Sequence, residues 1–568
     1  HADASGVGGL PEQVELEAAV HREGTPTELS TTETWKDGKV AGDLSIDMSA
    51  LEPGEYEVKV FLRPGPDAPP LMSSVAEFTV PETPEWANNQ IGVTDEVLPP
   101  WTPIEVDGQT VAVTEREYVL GGIGLPRQVS SFGEELFAAP PRLRTLIDGE
   151  TVEWACNEPE LLNRTAQRAE WRISATAGPL SLEGTLGVEF DGFARWDFRI
   201  QSEEPVNVTS LALEFPFNKA RSLYARGRNA VIPRGGAYFA LLNENGSGKP
   251  QRVANSEICV GDWPWTDDWV HEVWLGDDFR GFSVMCETAE QLHGKKRIDV
   301  KRTPQANVLR VHLIDGPYRL SGSLPYSYYW QASPVRPRPE DPRRWHVDMR
   351  HKEHLKRLVG TGKRSPVYVT RDLWALKYAS YPELRYSRGQ FKKRNAWAQE
   401  LGTKVVPYFG TYTASVDIPS LVPFKPEWEV HPVRFLTAPG GKWVNACPES
   451  EYLIDYMTWA AKGVVTDLGF DGLYLDVSSV TACHNQYHGC GYRDPDTGEW
   501  KSTVPILAHR RLYKRLYAMN NTVGNGAILY RHGRPVAAGA GFVDVITQGE
   551  EWGSEGKVQY DRLTPEIF

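Results

Sequence analysis

The chain has 568 residues, 24% of them charged, with 61 Lys and Arg against 75 Asp and Glu for a formal net charge of −14. At about 150 residues per domain, that length suggests three or four domains. No apolar run approaches the ~18 residues of a spanning helix, and no basic patch longer than a few residues offers the footprint of a duplex binder. A membrane span and a nucleic-acid partner are therefore not expected. Gly (51) and Pro (42) are plentiful, as the turns of a strand-rich chain require. Six Cys are too few for a disulfide scaffold. The first residue is His1, and no charged, apolar leader follows. The expected reading is a secreted or periplasmic bacterial protein whose leader has been removed.

Residues 1–85 read as an all-β module. Val14-Glu-Leu-Glu, Gly42-Asp-Leu-Ser-Ile and Tyr56-Glu-Val-Lys-Val-Phe-Leu62 alternate apolar with polar, the period of half-buried strands. Val75 to Val80 closes the set, and an immunoglobulin-like sandwich is expected. Pro81 and Pro84 then mark a linker. Residues 88–335 are again strand-rich, through Thr110–Val113, Leu182–Phe190, Ala194–Ile200 and Asn307–Leu313, and suggest one large β-sandwich. Trp263, Trp265, Trp269 and Trp274 crowd one stretch of it. Either they stack on sugars or they fill a core or domain interface; packing is the stronger reading.

Four prolines between Ser333 and Trp345 mark a second linker, and the texture then changes. Strands at Ser365–Thr370, Lys404–Phe409, Gly472–Val477, Ala527–Tyr530 and Phe542–Ile546 alternate with helical segments at 389–402, 449–468 and 505–519. A weaker strand is placed near Val433–Leu436. Strand and helix in alternation point to a parallel sheet, and for residues 345–568 to a (β/α)8 catalytic barrel. Five secure strands and one weak one are short of eight, so a natural chain continuing past Phe568 is expected.

In such a barrel the chemistry sits at the C-terminal ends of the strands. Asp476 ends the apolar run Gly472-Leu-Tyr-Leu. Glu550 and Glu551 follow the strand at 542–546, Asp372 follows the strand at 365–370, and His532 follows Tyr530. Two opposed carboxylates are what glycosidic cleavage needs: one protonates the leaving oxygen, and the other attacks the anomeric carbon or activates water. Asp476 with Glu550 or Glu551 fits that demand. Asp372, Trp374, Tyr408, His488, Tyr492, His532 and Trp552 are the expected substrate contacts. The bland alternative is that Asp476 caps its loop and the Glu pair is solvated surface.

The loop Cys483-His-Asn-Gln-Tyr-His-Gly-Cys490 admits three readings. They are a disulfide, free thiols in a substrate loop, or a metal site made by Cys483, His484, His488 and Cys490. The working assignment takes none of them as a metal ligand and expects no cofactor. The serine-hydrolase elbow, the zincin motif, the P-loop and the Rossmann glycines are all missing from the sequence.

Ile91-Gly-Val-Thr-Asp-Glu-Val-Leu-Pro-Pro-Trp-Thr-Pro103, Glu272-Val-Trp-Leu-Gly-Asp-Asp-Phe-Arg-Gly281, Ala332-Ser-Pro-Val-Arg-Pro337, Asp471-Gly-Leu-Tyr-Leu-Asp476 and His488-Gly-Cys-Gly-Tyr492 together resemble bacterial glycoside hydrolase family-123-like proteins. The resemblance spans roughly residues 90–568. It implies a β-sandwich followed by a (β/α)8 catalytic domain acting on carbohydrate. The family-123 enzymes carry an adjacent Asp-Glu pair and use the substrate's acetamido group as nucleophile. This chain has no clear Asp-Glu-Pro at a strand end, and Glu550-Glu551 is the nearest acidic pair. The layout is also similar to retaining α-galactosidase-like barrels. That likeness implies Asp476 as nucleophile, Glu550 as acid/base and His532 as a substrate contact. The expected function is an exo-acting, retaining glycoside hydrolase on a plant, algal or host glycan, with a galacto-configured substrate in view. The alternatives are a non-catalytic carbohydrate-binding protein on a hydrolase scaffold, and a metal-dependent enzyme centred on the Cys483–Cys490 loop.

Overall fold

The computed structural model describes residues 2–547 except 5–8, 43, 45, 49, 67, 230–235, 242–250, 254–255, 261–268, 338–344, 349–354, 358, 360–364, 371–380, 382–387, 417–420, 434, 439–440, 495–496, 524–525 and 534–535. Two units emerge, one ending at Ala87 and one beginning at Asn88.

In the first unit, β1 (Gln13–Arg22), β2 (Thr25–Lys36), β3 (Gly54–Arg63) and β4 (Met72–Val80) form an antiparallel sheet in the order β2-β1-β3-β4. Alternation works as period 2 demands: Val14, Leu16, Ala18 and Val20 of β1 are buried, and Val14 and Leu16 cluster with Trp35 and Leu62. Ala2–Asp3 pairs with Ala41–Gly42 alongside. Among the described residues this is a four-stranded sheet with one short strand pair, smaller than the seven strands of an immunoglobulin sandwich.

The second unit begins with a sandwich. Its larger sheet is organised by two long strands, β5 (Ala194–Asn218) and β6 (Ala306–Ser333). They pair antiparallel from Ala194–Trp330 to Asn218–Ala306, with bulges that bend the ribbon. Trp196, Phe198 and Ile200 alternate into the core. A five-stranded sheet from residues 105–135 covers this face, and Tyr118 meets Trp330 with ring centroids 5.1 Å apart.

The strand–helix alternation of the C-terminal part builds a parallel sheet, but not a closed barrel. Strands β7 (Trp345–Asp348), β8 (Ser365–Thr370), β9 (Lys404–Gly410), β10 (Gly472–Asp476), β11 (Ile528–His532) and β12 (Val545–Thr547) lie side by side in chain order. Helices α1 (Arg388–Gln399), α2 (Glu451–Thr466) and α3 (Ile506–Val523) connect three of the pairs. A (β/α)8 barrel needs an eighth strand bonded back to the first. Here β7 and β12 are edges, so among the described residues the sheet is an open, six-stranded half-barrel. The expected (β/α)8 architecture is corrected accordingly.

Two local readings change with it. The weak strand near Val433–Leu436 is Phe435–Ala438, which turns back on Gly441–Asn445 in an antiparallel insertion with Thr413–Ser415. The sixth parallel strand is instead β7, which begins where the proline-rich linker was expected to end. Among the described residues no helix is long and apolar enough to cross a membrane.

The half-barrel is locked to the sandwich within this second unit. Phe193, Met285 and Tyr329 of the sandwich pack against Val480, Val504, Ile506, Val536 and Ala538. Glu287 lies in this seam, where Tyr329 Oη–H donates to Oε2 at 3.0 Å and the Leu507 N–H to Oε1 at 2.8 Å. Burial, with Glu449 nearby adding to it, pushes this carboxyl up to about 7 against the opposing pull of the Leu507 N–H and Tyr329. The folded form thus holds its proton more tightly than the unfolded chain. Stability from this group is complete below about pH 4.5 and is lost as pH rises to about 7, on the order of 3 kcal/mol. Glu287→Gln should flatten that part of the stability–pH profile in urea titrations. An unchanged slope would show that Glu287 is ionised in the fold.

Candidate functional site at the strand ends

Register places two rows of side chains on one face of the parallel sheet. Tyr408, Tyr474, Tyr530 and Val545 stand opposite one another across β9, β10, β11 and β12. Ring centroids are 4.5 Å apart for Tyr408–Tyr474 and 4.7 Å for Tyr474–Tyr530. Two residues on, at the C-terminal ends, come Gly410, Asp476, His532 and Thr547. Same-face alternation makes the first row an aromatic floor and the second a polar rim. Gly410 brings no side chain to the position beside Asp476.

Asp476 is half-buried, its side chain 18% exposed. Two hydrogen bonds converge on Oδ1: the Val477 N–H donates at 2.9 Å, and His532 Nδ1 lies at 3.1 Å. The chain then turns sharply. Val477 has φ +47°, a left-handed conformation costly for a β-branched residue. Its neighbours hold it there. Thr411 N–H donates to Asp476 O at 3.0 Å and Tyr412 N–H to Val477 O at 3.2 Å. Buried Arg531 clamps Ser478 through Nε to Oγ (2.9 Å) and Nη2 to the carbonyl (2.8 Å), while Ser478 Oγ–H donates to His532 O (2.8 Å). The rim carboxylate and imidazole are thus fixed by backbone on both sides. Burial pushes up the phenols of Tyr530, to about 12, and of Tyr474, further, so these two are neutral at any physiological pH.

Of the expected site residues, Asp476, His532 and Tyr408 are brought together on this face. Asp372, Trp374, Glu550, Glu551 and Trp552 lie outside the described residues. Tyr492 sits in a short pair with Trp500–Lys501 on the loop beyond β10. His488 does not face the rim: its Nε2 is 3.3 Å from Cys483 Sγ, and its Nδ1 is 2.6 Å from Glu427 O. The tryptophan-rich stretch also resolves in part. Trp269 Nε1–H donates to Cys286 Sγ (3.2 Å) and Trp274 Nε1–H to Ser333 Oγ (3.1 Å), so both are committed to packing. Trp263 and Trp265 lie outside the described residues.

The Cys loop is not a disulfide. Cys447, Cys483 and Cys490 are all free thiols, with Cys447 and Cys490 sulfurs 3.8 Å apart. The donor atoms of Cys447, Cys483, His488 and Cys490 lie within 4.8 Å of one another. His484, counted with the loop from sequence, faces Ser502 Oγ instead (3.2 Å). Cys447, Arg531 and the strain at Val477 escaped the sequence reading. Only Cys447 left a trace, as one of just six cysteines. A cleft of about 380 Å³ on the sandwich, lined by residues such as Arg127, Trp154 and Asn157, contains no residue of the parallel sheet.

Residues 104–288 match the family model "Glycoside hydrolase 123, third domain". The resemblance to a glycoside hydrolase 123-like group therefore holds over that segment. No curated protein matches the chain. Among solved structures, the chain is similar to the galactosidase domain of the alpha-galactosidase-sucrose kinase AgaSK, at 8% identity, TM-score 0.33, 72% of this chain and 63% of that one. It is also similar to the GH36 alpha-galactosidase AgaA from Geobacillus stearothermophilus, at 9% identity, TM-score 0.37, 79% of this chain and 75% of that one. For the alpha-galactosidase TtGalA from Thermus thermophilus in complex with stachyose the figures are 13%, 0.31, 71% and 77%. No residue role follows from a likeness of that degree.

Proposed function

We propose that the chain is a glycoside hydrolase whose reaction centre is the C-terminal edge of the parallel sheet, with Asp476 as the attacking carboxylate of a retaining mechanism. The observation that carries this is the rim itself. A half-buried carboxylate ends a parallel strand, lies against His532, and stands over a row of three packed tyrosines. The tyrosines are packed core under the rim, and a carboxylate fixed above them meets an anomeric carbon without reorganisation. The two contacts on Oδ1 fix the direction in which the carboxylate points. Glu550 or Glu551, following β12 in sequence, is the proposed acid/base partner, and retention requires it to stand about 5–5.5 Å from Asp476. The match over residues 104–288 supports a glycoside hydrolase of this general class.

The test is hydrolysis of aryl glycosides: α- and β-galactosides, glucosides, fucosides, arabinosides and N-acetylhexosaminides. Turnover of one configuration supports the reading. Sugar binding without any turnover would replace it with a carbohydrate-binding protein on a hydrolase scaffold.

A further inference from the structure

We infer that Cys447, Cys483, His488 and Cys490 form a structural zinc site that ties the loop after β10 to the segment before α2. Four donors converge from two separate stretches of chain. A tetrahedral zinc with Zn–S near 2.3 Å sets its sulfurs about 3.8 Å apart and its sulfur and nitrogen somewhat closer. Cys447 and Cys490 sulfurs are 3.8 Å apart, and Cys483 Sγ is 3.3 Å from His488 Nε2. A disulfide would need about 2.05 Å.

The surroundings are those of a ligand set rather than of packed thiols. His488 is held by Nδ1, which donates to the Glu427 carbonyl at 2.6 Å. That bond fixes the tautomer and leaves the Nε2 lone pair directed at the sulfurs. Backbone N–H groups of His431 (3.4 Å) and Asn485 (3.3 Å) donate to Cys483 Sγ, which suits a thiolate. Asn485 binds the carbonyls of Pro426 (2.8 Å) and Glu429 (2.9 Å), so the loop is stitched to the same turn that orients His488. Gly489 and Gly491, at φ +78° and +89°, allow the chain to reverse so that residues 488 and 490 return to 483. A Cβ at Gly491 would stand 2.6 Å from His484 Cβ.

The donor set selects the metal. Three sulfurs and one imidazole suit zinc, whereas oxygen-seeking cations want carboxylates and water. All four positions are filled by the protein, so no site is left for water or substrate, and the role is structural. The cluster is nearly solvent-free: Cys447 and Cys483 are 0% exposed and Cys490 3%. The loop it pins follows the strand that ends in Asp476.

The test is the metal content of the purified full chain, read without substrate and therefore independent of the glycosidase reading. The expected result is about one zinc per chain, retained in His484→Ala and lost in Cys447→Ser. Because Cys447→Ser removes a core group, wild type is also exchanged with cobalt. Thiolate-to-cobalt charge transfer and tetrahedral d–d bands are expected, and cobalt should protect three cysteines from thiol reagents. Zinc-free protein from zinc-supplemented growth that takes up no cobalt would overturn the assignment, and so would zinc lost in His484→Ala.

Discussion

Asp476→Asn is expected to lower kcat/KM by about 10⁴–10⁶-fold while leaving the fold intact. Asparagine keeps the shape, and its Oδ1 can still accept from the Val477 N–H and from His532. What disappears is the charge that attacks the anomeric carbon and is replaced by a bond to it. The local backbone should not move, because Thr411, Tyr412 and the Arg531–Ser478 clamp hold the turn independently of the carboxylate. His532→Ala should have a smaller effect, since it removes orientation and leaves the nucleophile. Rates and denaturation midpoints measured together separate the two roles. A loss of activity that merely tracked a loss of stability would make Asp476 a structural cap.

Arg510→Ala should destabilise the second unit by about 3–5 kcal/mol, a typical penalty for stranding a buried charge. Arg510 is 4% exposed and reaches from α3 into the sandwich. Its fork meets both oxygens of Asp191, Nη1 to Oδ2 at 2.7 Å and Nη2 to Oδ1 at 2.8 Å. Nη2 also donates to Glu189 Oε2 (2.9 Å) and Nη1 to Ala538 O (2.9 Å). The guanidinium lies 4.2 Å over the Phe193 ring. Burial alone would raise the Glu189 carboxyl, but Arg510 and Lys514 outweigh it and bring it down to about 2. Stability from Glu189 is therefore present above about pH 4.5 and is lost as pH falls towards 2. In Arg510→Ala, Asp191, 1% exposed, loses the partner that spans both its oxygens. Arg510→Lys should recover only part, because an ammonium cannot span both carboxylate oxygens. Adding Asp191→Asn to Arg510→Ala should return much of the loss, since the stranded charge is then gone. Urea midpoints within about 0.5 kcal/mol of wild type for Arg510→Ala would show that the pair is not a structural lock.

What sequence could reveal of this molecule follows the range of each physical signal. The place of Asp476 at a strand end was legible because a carboxylate closing the run Gly472-Leu-Tyr-Leu breaks a local apolar pattern. Helix α2 was legible from apolar spacing, and α3 with the help of Pro505 at its start. The strand Thr25–Lys36 was missed because ten of its twelve side chains are exposed or half-exposed polar or small residues, which leave weak alternation. Closure was illegible for a different reason. Periodicity reports which segments are strands but not which strand bonds to which, so a hairpin at 435–445 resembled a barrel strand. β7, directly behind four prolines, was not picked out as a strand. The metal cluster shows the same limit: Cys447 lies 36 residues before Cys483 in chain number, and only folding brings its sulfur to the loop. The contact between His532 and Asp476 joins two strands and is likewise invisible in sequence.

The central claim is that Asp476 attacks the sugar. The most direct measurement is inactivation by a 2-deoxy-2-fluoroglycosyl fluoride of the configuration that the aryl panel selects, followed by intact-mass and peptide analysis. The account predicts one glycosyl unit added per chain, on the peptide that carries Asp476. A label on another carboxylate, or steady turnover with inverted product and no label, would contradict it.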